Sequence, residues 1–286
     1  MIQLQNEHLA ITIREKGAEL QSVKLNNLEY LWQADPNYWD KHAPVLFPIV
    51  GELKDGKYFF DNKEFHLSRH GFARDKMFEA KQTADTSATF TLHSDAATLA
   101  VYPFQFIFQV KYEIKQTKLF CSYIVQNVND GDMYFSVGGH PAFRVPLNDK
   151  LQYTDYTLAF DNDSTLERFL LNNGLTNGTT ETLVLDDKKL PLKSSLFYND
   201  AIVLKHISSN EIKLYTDKDP HSLKFMFEGF PYFGIWAAKD APFVCLEPWC
   251  GIADNIHHNG ELNNKEGINQ LAAGATWKRI WSIELF

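Results

Sequence analysis

Short apolar runs of strand character recur at close intervals along the chain, whereas long segments with the 3.6-residue period of an amphipathic helix are almost absent. Residues 9–13 and 223–227 are two such runs. Because a strand of this kind buries one face, many strands have to pair and pack as layers. No repeat of about 20 to 50 residues is visible, which argues against solenoids and propellers. The pattern therefore predicts an all-β fold, a large antiparallel β-sandwich with few short helices.

The length of the chain fits one domain of this kind. Sandwiches and barrels often reach roughly 200–250 residues without dividing. The 286 residues are 44% hydrophobic and 14% aromatic, which is enough for a sizeable core. Aromatic side chains also pack well on a pleated sheet. We therefore expect residues 1–286 to form a single domain.

Charge and the first residues argue against several classes of partner. The net charge is −8 and no Lys/Arg cluster is longer than a pair, which speaks against nucleic acid or an anionic membrane surface as a partner. The start, MIQLQNEHLAITI, lacks the pattern of a signal peptide, and no apolar run approaches the roughly 20 residues of a membrane span. We expect a cytoplasmic protein without nucleic-acid or membrane partners.

The cysteines and histidines do not indicate a metal site. Cys121, Cys245 and Cys250 are an odd number in strand-like surroundings, which predicts reduced and mostly buried thiols. Neither CxxC nor HExxH spacing occurs, and the adjacent His257 and His258 have no second ligand pattern. We therefore expect no metal and no cofactor.

Glu247 is the first candidate for chemistry, because it follows directly on an apolar strand-like run. Period-2 alternation places Phe243, Cys245 and Glu247 on one face, so the carboxylate shares its side with apolar groups. Partial desolvation can raise the pKa of such a carboxyl toward neutral pH, which suits a general base. Pro248 lacks a backbone donor, so we expect the strand to end there with Glu247 at its end. A structural glutamate bonded to a loop is the alternative.

Three further polar residues stand at predicted strand ends or in apolar surroundings. His140 follows two glycines, which leave room for close approach, and precedes a proline. His70 lies in a polar loop, and loops on rigid scaffolds often carry function. Asp200 interrupts an apolar segment, where an unpaired charge is costly, so it needs a partner or a ligand. A structural role stays open for each of them.

Six motifs, in this order, resemble the aldose 1-epimerase (galactose mutarotase) family, most closely its bacterial LacX-type branch. They are PVLFPIVGELKDGKY at 44–58, HGFARD at 70–75, GGHPAF at 138–143, NDAIVL at 199–204, FGIWAA at 233–238 and CLEPWCGIAD at 245–254. The resemblance extends over essentially the whole chain. It implies a large antiparallel β-sandwich with a sugar site in a cleft on one sheet face, in agreement with the strand pattern.

The resemblance also implies roles for individual residues. Glu247 resembles the family's general base and His140 its general acid, a pair that opens the sugar ring and recloses it as the other anomer. His70, Asp200 and Trp236 resemble residues that hold the sugar, and an aromatic face suits an apolar sugar face. The predicted function is interconversion of the α and β anomers of a hexose, with a small-molecule sugar as partner and no metal or cofactor.

Two positions bear on which sugar is used. In galactose-acting members an arginine contacts the sugar where this chain has Glu52, so the resemblance does not extend to a galactose preference. Arg74 resembles a position that helps to hold phosphate in the hexose-6-phosphate branch. A single guanidinium is a weak clamp for phosphate, so a free aldose is favoured and a hexose phosphate stays open.

Two other functions stay open on the sequence. A non-catalytic carbohydrate-binding protein would keep the cleft while Glu52 removes turnover. Cleavage of a glycosidic bond would require Asp200 and Glu247 to face each other at about 5–10 Å.

Overall fold

The computed structural model describes residues 1–286, and most of the chain lies in short antiparallel strands. The first strands are β1 (Ile2–Gln5), β2 (Leu9–Arg14), β3 (Glu19–Leu25), β4 (Leu28–Glu29), β5 (Val45–Leu46), β6 (Lys57–Phe60), β7 (Lys63–His66), β8 (Glu79–Ala84) and β9 (Ser87–His93). The next are β10 (Phe106–Lys115), β11 (Lys118–Asn127), β12 (Met133–Phe135), β13 (Val137–Gly139), β14 (Ala142–Arg144), β15 (Thr157–Phe160), β16 (Thr165–Asn172) and β17 (Leu175–Val184). The last are β18 (Lys189–Pro191), β19 (Ile202–Lys205), β20 (Glu211–Thr216), β21 (Asp219–Met226), β22 (Tyr232–Trp236), β23 (Phe243–Cys250), β24 (Asn269–Leu271) and β25 (Thr276–Leu285).

Helical structure is limited to short pieces between strands. The only α-helix, α1 (Ala96–Leu99), begins after Asp95, whose side chain accepts a hydrogen bond from the Thr98 backbone N–H at 2.6 Å. Five 3₁₀ helices span Lys54–Gly56, Ala73–Asp75, Tyr153–Asp155, Ser194–Phe197 and Leu262–Asn264. None of these helices has the length and apolar character that crossing a membrane requires.

Two large antiparallel sheets dominate the architecture. A nine-stranded sheet has the order β18-β15-β20-β21-β25-β11-β10-β9-β8. An eight-stranded sheet has the order β17-β16-β19-β22-β23-β13-β5, with β14 paired to β23 beside that path. Smaller sheets are formed by β1 to β4, by β12 with β24 and by β6 with β7. The predicted all-β fold, a large antiparallel sandwich, is confirmed.

The main hydrophobic core lies between the two large sheets and contains 71 buried residues. Phe225 of β21 and Phe233 of β22 meet across the layers with ring centroids 5.9 Å apart. Along β10 every second side chain is buried, so the alternation in the sequence corresponds to one face turned to this core. The three cysteines are buried and unpaired, as predicted.

The other face of the eight-stranded sheet forms the floor of a cleft. A second, smaller apolar cluster lies there, and its six members are Leu46, Val50, Ala201, Val203, Trp249 and Ile252. Because β23 is covered on both faces, all of its residues are buried. A polar side chain on this strand is therefore desolvated by its position alone.

The prediction that the strand ends at Glu247 is wrong, because β23 continues through Pro248. On one side of β23, β14 pairs with residues 243–245 and β13 pairs with Trp249 and Cys250. Neither strand pairs with Glu247 or Pro248. The missing N–H of the proline is tolerated here because the neighbouring strand is itself interrupted at this point.

Truncation of a buried ring tests the packing of the core. Phe108 of β10 is fully buried and stacks on Phe47 with ring centroids 4.4 Å apart. We expect Phe108→Ala to reduce the free energy of unfolding in urea by about 3–5 kcal/mol, because a cavity replaces the ring. The control Val184→Ala removes a side chain that is 79% exposed and should change it by less than about 0.5 kcal/mol. Equal effects would contradict a tightly packed core.

Candidate active site

All six residues singled out from the sequence line one cleft on the eight-stranded sheet. They are Glu247, His140, His70, Asp200, Trp236 and Arg74. The cleft has a volume of about 310 Å³, within the range of sites for small molecules. The fold thus brings together residues from distant parts of the chain.

Neighbouring strands position these side chains. Glu247 is on β23, Trp236 is on β22, and Gly234 lies directly opposite Glu247 in the register of the two strands. Asp200 lies two residues before β19, and His140 immediately follows β13. The floor of the cleft is therefore built on rigid, hydrogen-bonded backbone.

His140 and Glu247 form the centre of the cleft. Nε2 of His140 lies 3.3 Å from a carboxylate oxygen of Glu247, and the two meet where the strand beside β23 is interrupted. Glu247 is only 1% exposed. Its Oε2 and the Nδ1 of His140 are buried and make no hydrogen bond within the protein. The pair is a desolvated acid and imidazole in contact.

Burial shifts the pKa values of this pair in opposite directions. Desolvation raises the pKa of Glu247 well above its usual range, the charge of Asp200 raises it further, and the nearby Trp249 indole lowers it. The indole N–H of Trp249 makes no hydrogen bond within the protein. Desolvation lowers the pKa of His140, and the charge of Arg74 adds to this. Burial therefore disfavours the charged form of each group and favours a protonated carboxyl beside a neutral imidazole.

The tautomer of His70 is defined by its backbone contact. The Gly51 N–H donates to Nδ1 of His70 at 3.1 Å, and the His70 N–H donates to the Gly51 carbonyl at 2.9 Å. Nδ1 is thus the acceptor, so a neutral ring carries its proton on Nε2. Desolvation and the charges of His140 and Arg74 lower the pKa of His70. His70 is therefore a neutral hydrogen-bond donor.

Asp200 has one of its carboxylate oxygens occupied within the protein. Its backbone adopts a φ of 82°, and Oδ1 accepts the N–H of Ala201 at 2.7 Å. Nη2 of Arg168 donates to the Asp200 carbonyl at 2.9 Å, which holds the turn. The other oxygen, Oδ2, makes no hydrogen bond within the protein, so it is available to a ligand.

Trp39 lines the cleft, although the sequence does not single it out. Its ring stacks on the His140 imidazole, with centroids 4.9 Å apart and planes at 29°. Trp236 meets both rings edge to face, 5.5 Å from Trp39 and 5.6 Å from His140. Two indoles thus fix the plane of the imidazole. The local sequence signal for Trp39 is an aromatic residue in a polar turn, which is too weak to indicate a site.

Charged residues lie at the rim of the cleft. Nε of Arg69 donates to Oε2 of Glu52 at 2.9 Å, and Nη2 of Arg74 donates to the Arg69 carbonyl at 2.9 Å. Arg69 also lines the cleft and precedes His70 in the polar loop marked from the sequence. Its guanidinium fills the space beside Gly174, where an added Cβ would lie 2.0 Å from Nη2.

One group of donors in the cleft could hold a metal ion. Ligand atoms of His140, Cys245 and Glu247 lie within 4.8 Å of one another. Imidazole, thiolate and carboxylate are all zinc ligands, but desolvation raises the pKa of Cys245 and keeps its thiol protonated. The expectation that no metal or cofactor is needed stays a prediction.

Comparison with known proteins decides the family. The model of the aldose 1-epimerase family matches residues 1–279. The chain belongs to the aldose 1-epimerase family. It is an isomerase of the mutarotase type. The predicted resemblance is therefore confirmed.

Relatives of this epimerase include two LacX proteins of Lactococcus lactis subsp. lactis, one plasmid-encoded and one chromosomal. Each is 32% identical over 295 residues, covering 99% of this chain and 99% of the relative. A galactose mutarotase related enzyme from Lactobacillus acidophilus is 34% identical with a TM-score of 0.95, covering 100% of this chain and 97% of that one. A galactose mutarotase-like protein from Lactobacillus casei is 33% identical with a TM-score of 0.94 over 100% of both chains.

The contribution of Trp39 to the epimerase can be measured by substitution. We expect Trp39→Leu to lower kcat/KM for anomer exchange by about fivefold, because stacking on an aromatic partner contributes on the order of 1 kcal/mol beyond the buried area. Exchange NMR at anomeric equilibrium gives the rate. Trp277→Leu is the matched control, since Trp277 packs on Phe135 and does not line the cleft. An equal loss in both variants would contradict a role for Trp39 in the site.

Proposed function

We propose that the protein interconverts the α and β anomers of a free hexose by opening and reclosing the sugar ring, with Glu247 as general base and His140 as general acid. The observation that carries the proposal is the 3.3 Å contact between the buried carboxylate and the imidazole at the floor of the cleft. Ring opening requires one group that accepts a proton and one that donates a proton. The pair supplies both with a single shared proton.

The proposed reaction balances its protons within the pair. The Glu247 carboxylate takes the proton of the anomeric hydroxyl as the bond between C1 and the ring oxygen breaks, and the His140 imidazolium protonates that oxygen. The open-chain aldehyde rotates about its C1–C2 bond. The hydroxyl formed from the ring oxygen then attacks the other face of the carbonyl carbon and returns its proton to His140. Glu247 protonates the new anomeric oxygen. The protein ends in its starting state.

The free protein and the reactive form differ in the position of one proton. The raised pKa of Glu247 and the lowered pKa of His140 favour the neutral pair in the empty cleft. Moving the proton to the imidazole over 3.3 Å gives the carboxylate and imidazolium that the reaction uses. Hydroxyl groups of a bound sugar supply donors to the carboxylate and thereby favour this form.

The other lining residues support a role in holding the sugar. His70 donates through Nε2, and Asp200 accepts through Oδ2. Trp236 offers a flat apolar surface beside His140. Together these groups match the alternating hydroxyls and apolar faces of a hexose.

Rim charges favour a free hexose over a hexose phosphate. Glu52 pairs with Arg69, so Arg74 is the guanidinium of the rim without a carboxylate within hydrogen-bond distance. A single guanidinium is a weak phosphate clamp. Glu52 also stands where galactose-acting members carry an arginine, so no galactose preference is proposed.

The proposal treats residues 1–286 as one domain. Support comes from the main core, which includes residues from Leu4 to Leu285 in one cluster. The cytoplasmic location predicted from the sequence stays a prediction.

Substitution of the proposed base tests the mechanism. Glu247→Gln keeps the shape of the side chain and removes proton acceptance, so we expect anomer exchange of glucose and galactose to slow by about 10²–10⁴-fold. Circular dichroism should show a folded protein, because a neutral amide is easier to bury than a carboxylate. His66→Gln, at an exposed histidine of β7, is the control and should keep full activity.

The same measurement separates the alternatives. An unchanged exchange rate in Glu247→Gln would remove Glu247 from the mechanism. Saturable sugar binding with no exchange above the buffer rate in the unmodified protein would support the non-catalytic carbohydrate-binding protein. Release of reducing ends from oligosaccharides would support glycosidic cleavage.

The dependence of kcat/KM on pH follows from the pKa shifts. The pair is active with one proton, and burial lowers the pKa of His140, so the second proton is taken up only below the ordinary histidine range. Burial raises the pKa of Glu247, so the single proton is lost only above the ordinary carboxyl range. We expect the acid limb of the kcat/KM profile to have its midpoint below about pH 6.5, the ordinary histidine value. A midpoint at or above that pH would contradict a buried acid.

A further inference from the structure

We propose that Glu52 determines the charge of the accepted substrate: by neutralising Arg69 at the rim, it makes the cleft select uncharged sugars over anionic ones. This inference rests on the proposed function, because it concerns which sugars the same cleft turns over. It assigns a role to a residue that stands outside the acid and base chemistry.

The geometry shows an internal ion pair at the rim of the cleft. Nε of Arg69 donates to Oε2 of Glu52 at 2.9 Å, and both side chains line the cleft. Their side chains are 47% and 27% exposed, so solvent and a bound sugar can reach them. The Glu52 carboxylate thus occupies a donor of Arg69 that a phosphate or carboxylate of a ligand would otherwise use.

Without Glu52 the rim would be cationic. Arg69 and Arg74 come from one short segment, and Nη2 of Arg74 is directed to the Arg69 carbonyl. The nearest carboxylate to Arg74 is that of Asp75, 3.7 Å from Nε and mostly exposed. Deeper in the cleft, Glu247 favours its neutral form through its raised pKa. Glu52 is therefore the rim carboxylate that pairs with Arg69, whereas Arg74 has the longer contact with Asp75 and the Asp200 carboxylate lies elsewhere in the cleft.

The backbone that carries Glu52 is anchored to a buried ion pair. The Glu52 carbonyl accepts the N–H of Asp254 at 2.9 Å. Oδ1 of Asp254 accepts from Nζ of Lys265 at 2.7 Å, and both side chains are 1% exposed. The N–H of Thr176 on β17 donates to the Asp254 carbonyl at 2.9 Å. Asp254 thus connects the segment that carries Glu52 to β17, which leads from the turn at Gly174.

Arg69 is held from the opposite side as well. Its Nη2 occupies the space beside Gly174, and a side chain at that position would have to displace it. Gly174 has a φ of 80° in the turn between β16 and β17. The ion pair therefore lies between the loop that carries Arg69 and the β16–β17 turn.

The effect on a charged ligand exceeds the effect on stability. A partly exposed ion pair contributes little to folding. A doubly charged phosphate bound within several ångströms of the rim would, however, interact with each added or removed unit charge strongly enough to change binding by about tenfold. Screening by salt should reduce that difference.

The test compares one neutral and two anionic sugars. Glucose, glucose 6-phosphate and glucuronate are assayed by exchange NMR at anomeric equilibrium, and their dissociation constants are measured by isothermal titration calorimetry. The variants are Glu52→Gln, which removes the rim carboxylate, and Arg69→Met, which removes its partner. Glu64→Gln is the matched control, because Glu64 pairs with Lys57 at 2.8 Å on the β6–β7 hairpin and does not line the cleft.

We expect the preference for anionic over neutral sugar, expressed as a ratio of kcat/KM and of dissociation constants, to rise about tenfold in Glu52→Gln. It should fall severalfold in Arg69→Met and stay constant in Glu64→Gln. The rise should be largest for glucose 6-phosphate and should diminish at about 0.5 M salt.

An unchanged or lowered ratio in Glu52→Gln, or a raised ratio in Arg69→Met, would overturn the inference. The binding measurement separates this failure from failure of the proposed function. A shifted ratio of dissociation constants in a protein without anomer exchange would support the charge selection and overturn the epimerase mechanism. Anomer exchange with unshifted ratios of dissociation constants would support the epimerase mechanism and overturn the charge selection.

Discussion

The interruption of the strand beside β23 is the constraint on which the site depends. Pro141 and Pro248 each lack a backbone donor; Pro141 lies between β13 and β14, and Pro248 lies in the part of β23 that neither strand pairs with. Neither β13 nor β14 pairs with Glu247 or Pro248, and the His140 imidazole meets the Glu247 carboxylate at this opening. The surrounding pairs of β23 with β22, β13 and β14 keep the opening rigid. The local loss of sheet hydrogen bonds thus creates the one place where two polar groups meet at the cleft floor.

Burial is the common cause of the chemistry at this floor. The same desolvation that raises the pKa of Glu247 lowers that of His140, so neither charge is favoured alone and one proton is shared. The apolar cluster around Val203 and Trp249 maintains this low polarity. Such a site costs stability, because an acid without a hydrogen-bond partner is buried. The core of 71 residues on the other face of the sheet offsets that cost.

The parts of this structure that follow from short-range patterns could be predicted from the sequence, and those that follow from pairing could not. Alternation along β23 correctly places Cys245 and Glu247 on one side, as their ligand atoms within 4.8 Å show. The continuation of the strand through Pro248 depends on where its neighbours break, which no local pattern reveals. Trp39 belongs to the site through its contact with the distant His140, so its own surroundings in the sequence carry little signal. The resemblance of the motifs to the family indicated that the six site residues lie in one site, which periodicity alone could not indicate.

The rim and the floor of the cleft are electrostatically connected. Arg74 and Arg69 both lower the pKa of His140, because a nearby positive charge disfavours the imidazolium. The carboxylate of Glu52 lies against Arg69 and offsets part of that field. A rim that attracted anionic sugars with two uncompensated guanidiniums would therefore also make the imidazolium harder to form when no anion is bound. An anionic substrate would bring its own compensating charge to the rim, whereas a neutral sugar brings none. The internal carboxylate is thus what a cleft for neutral sugars needs, both for selecting its substrate and for keeping its acid usable.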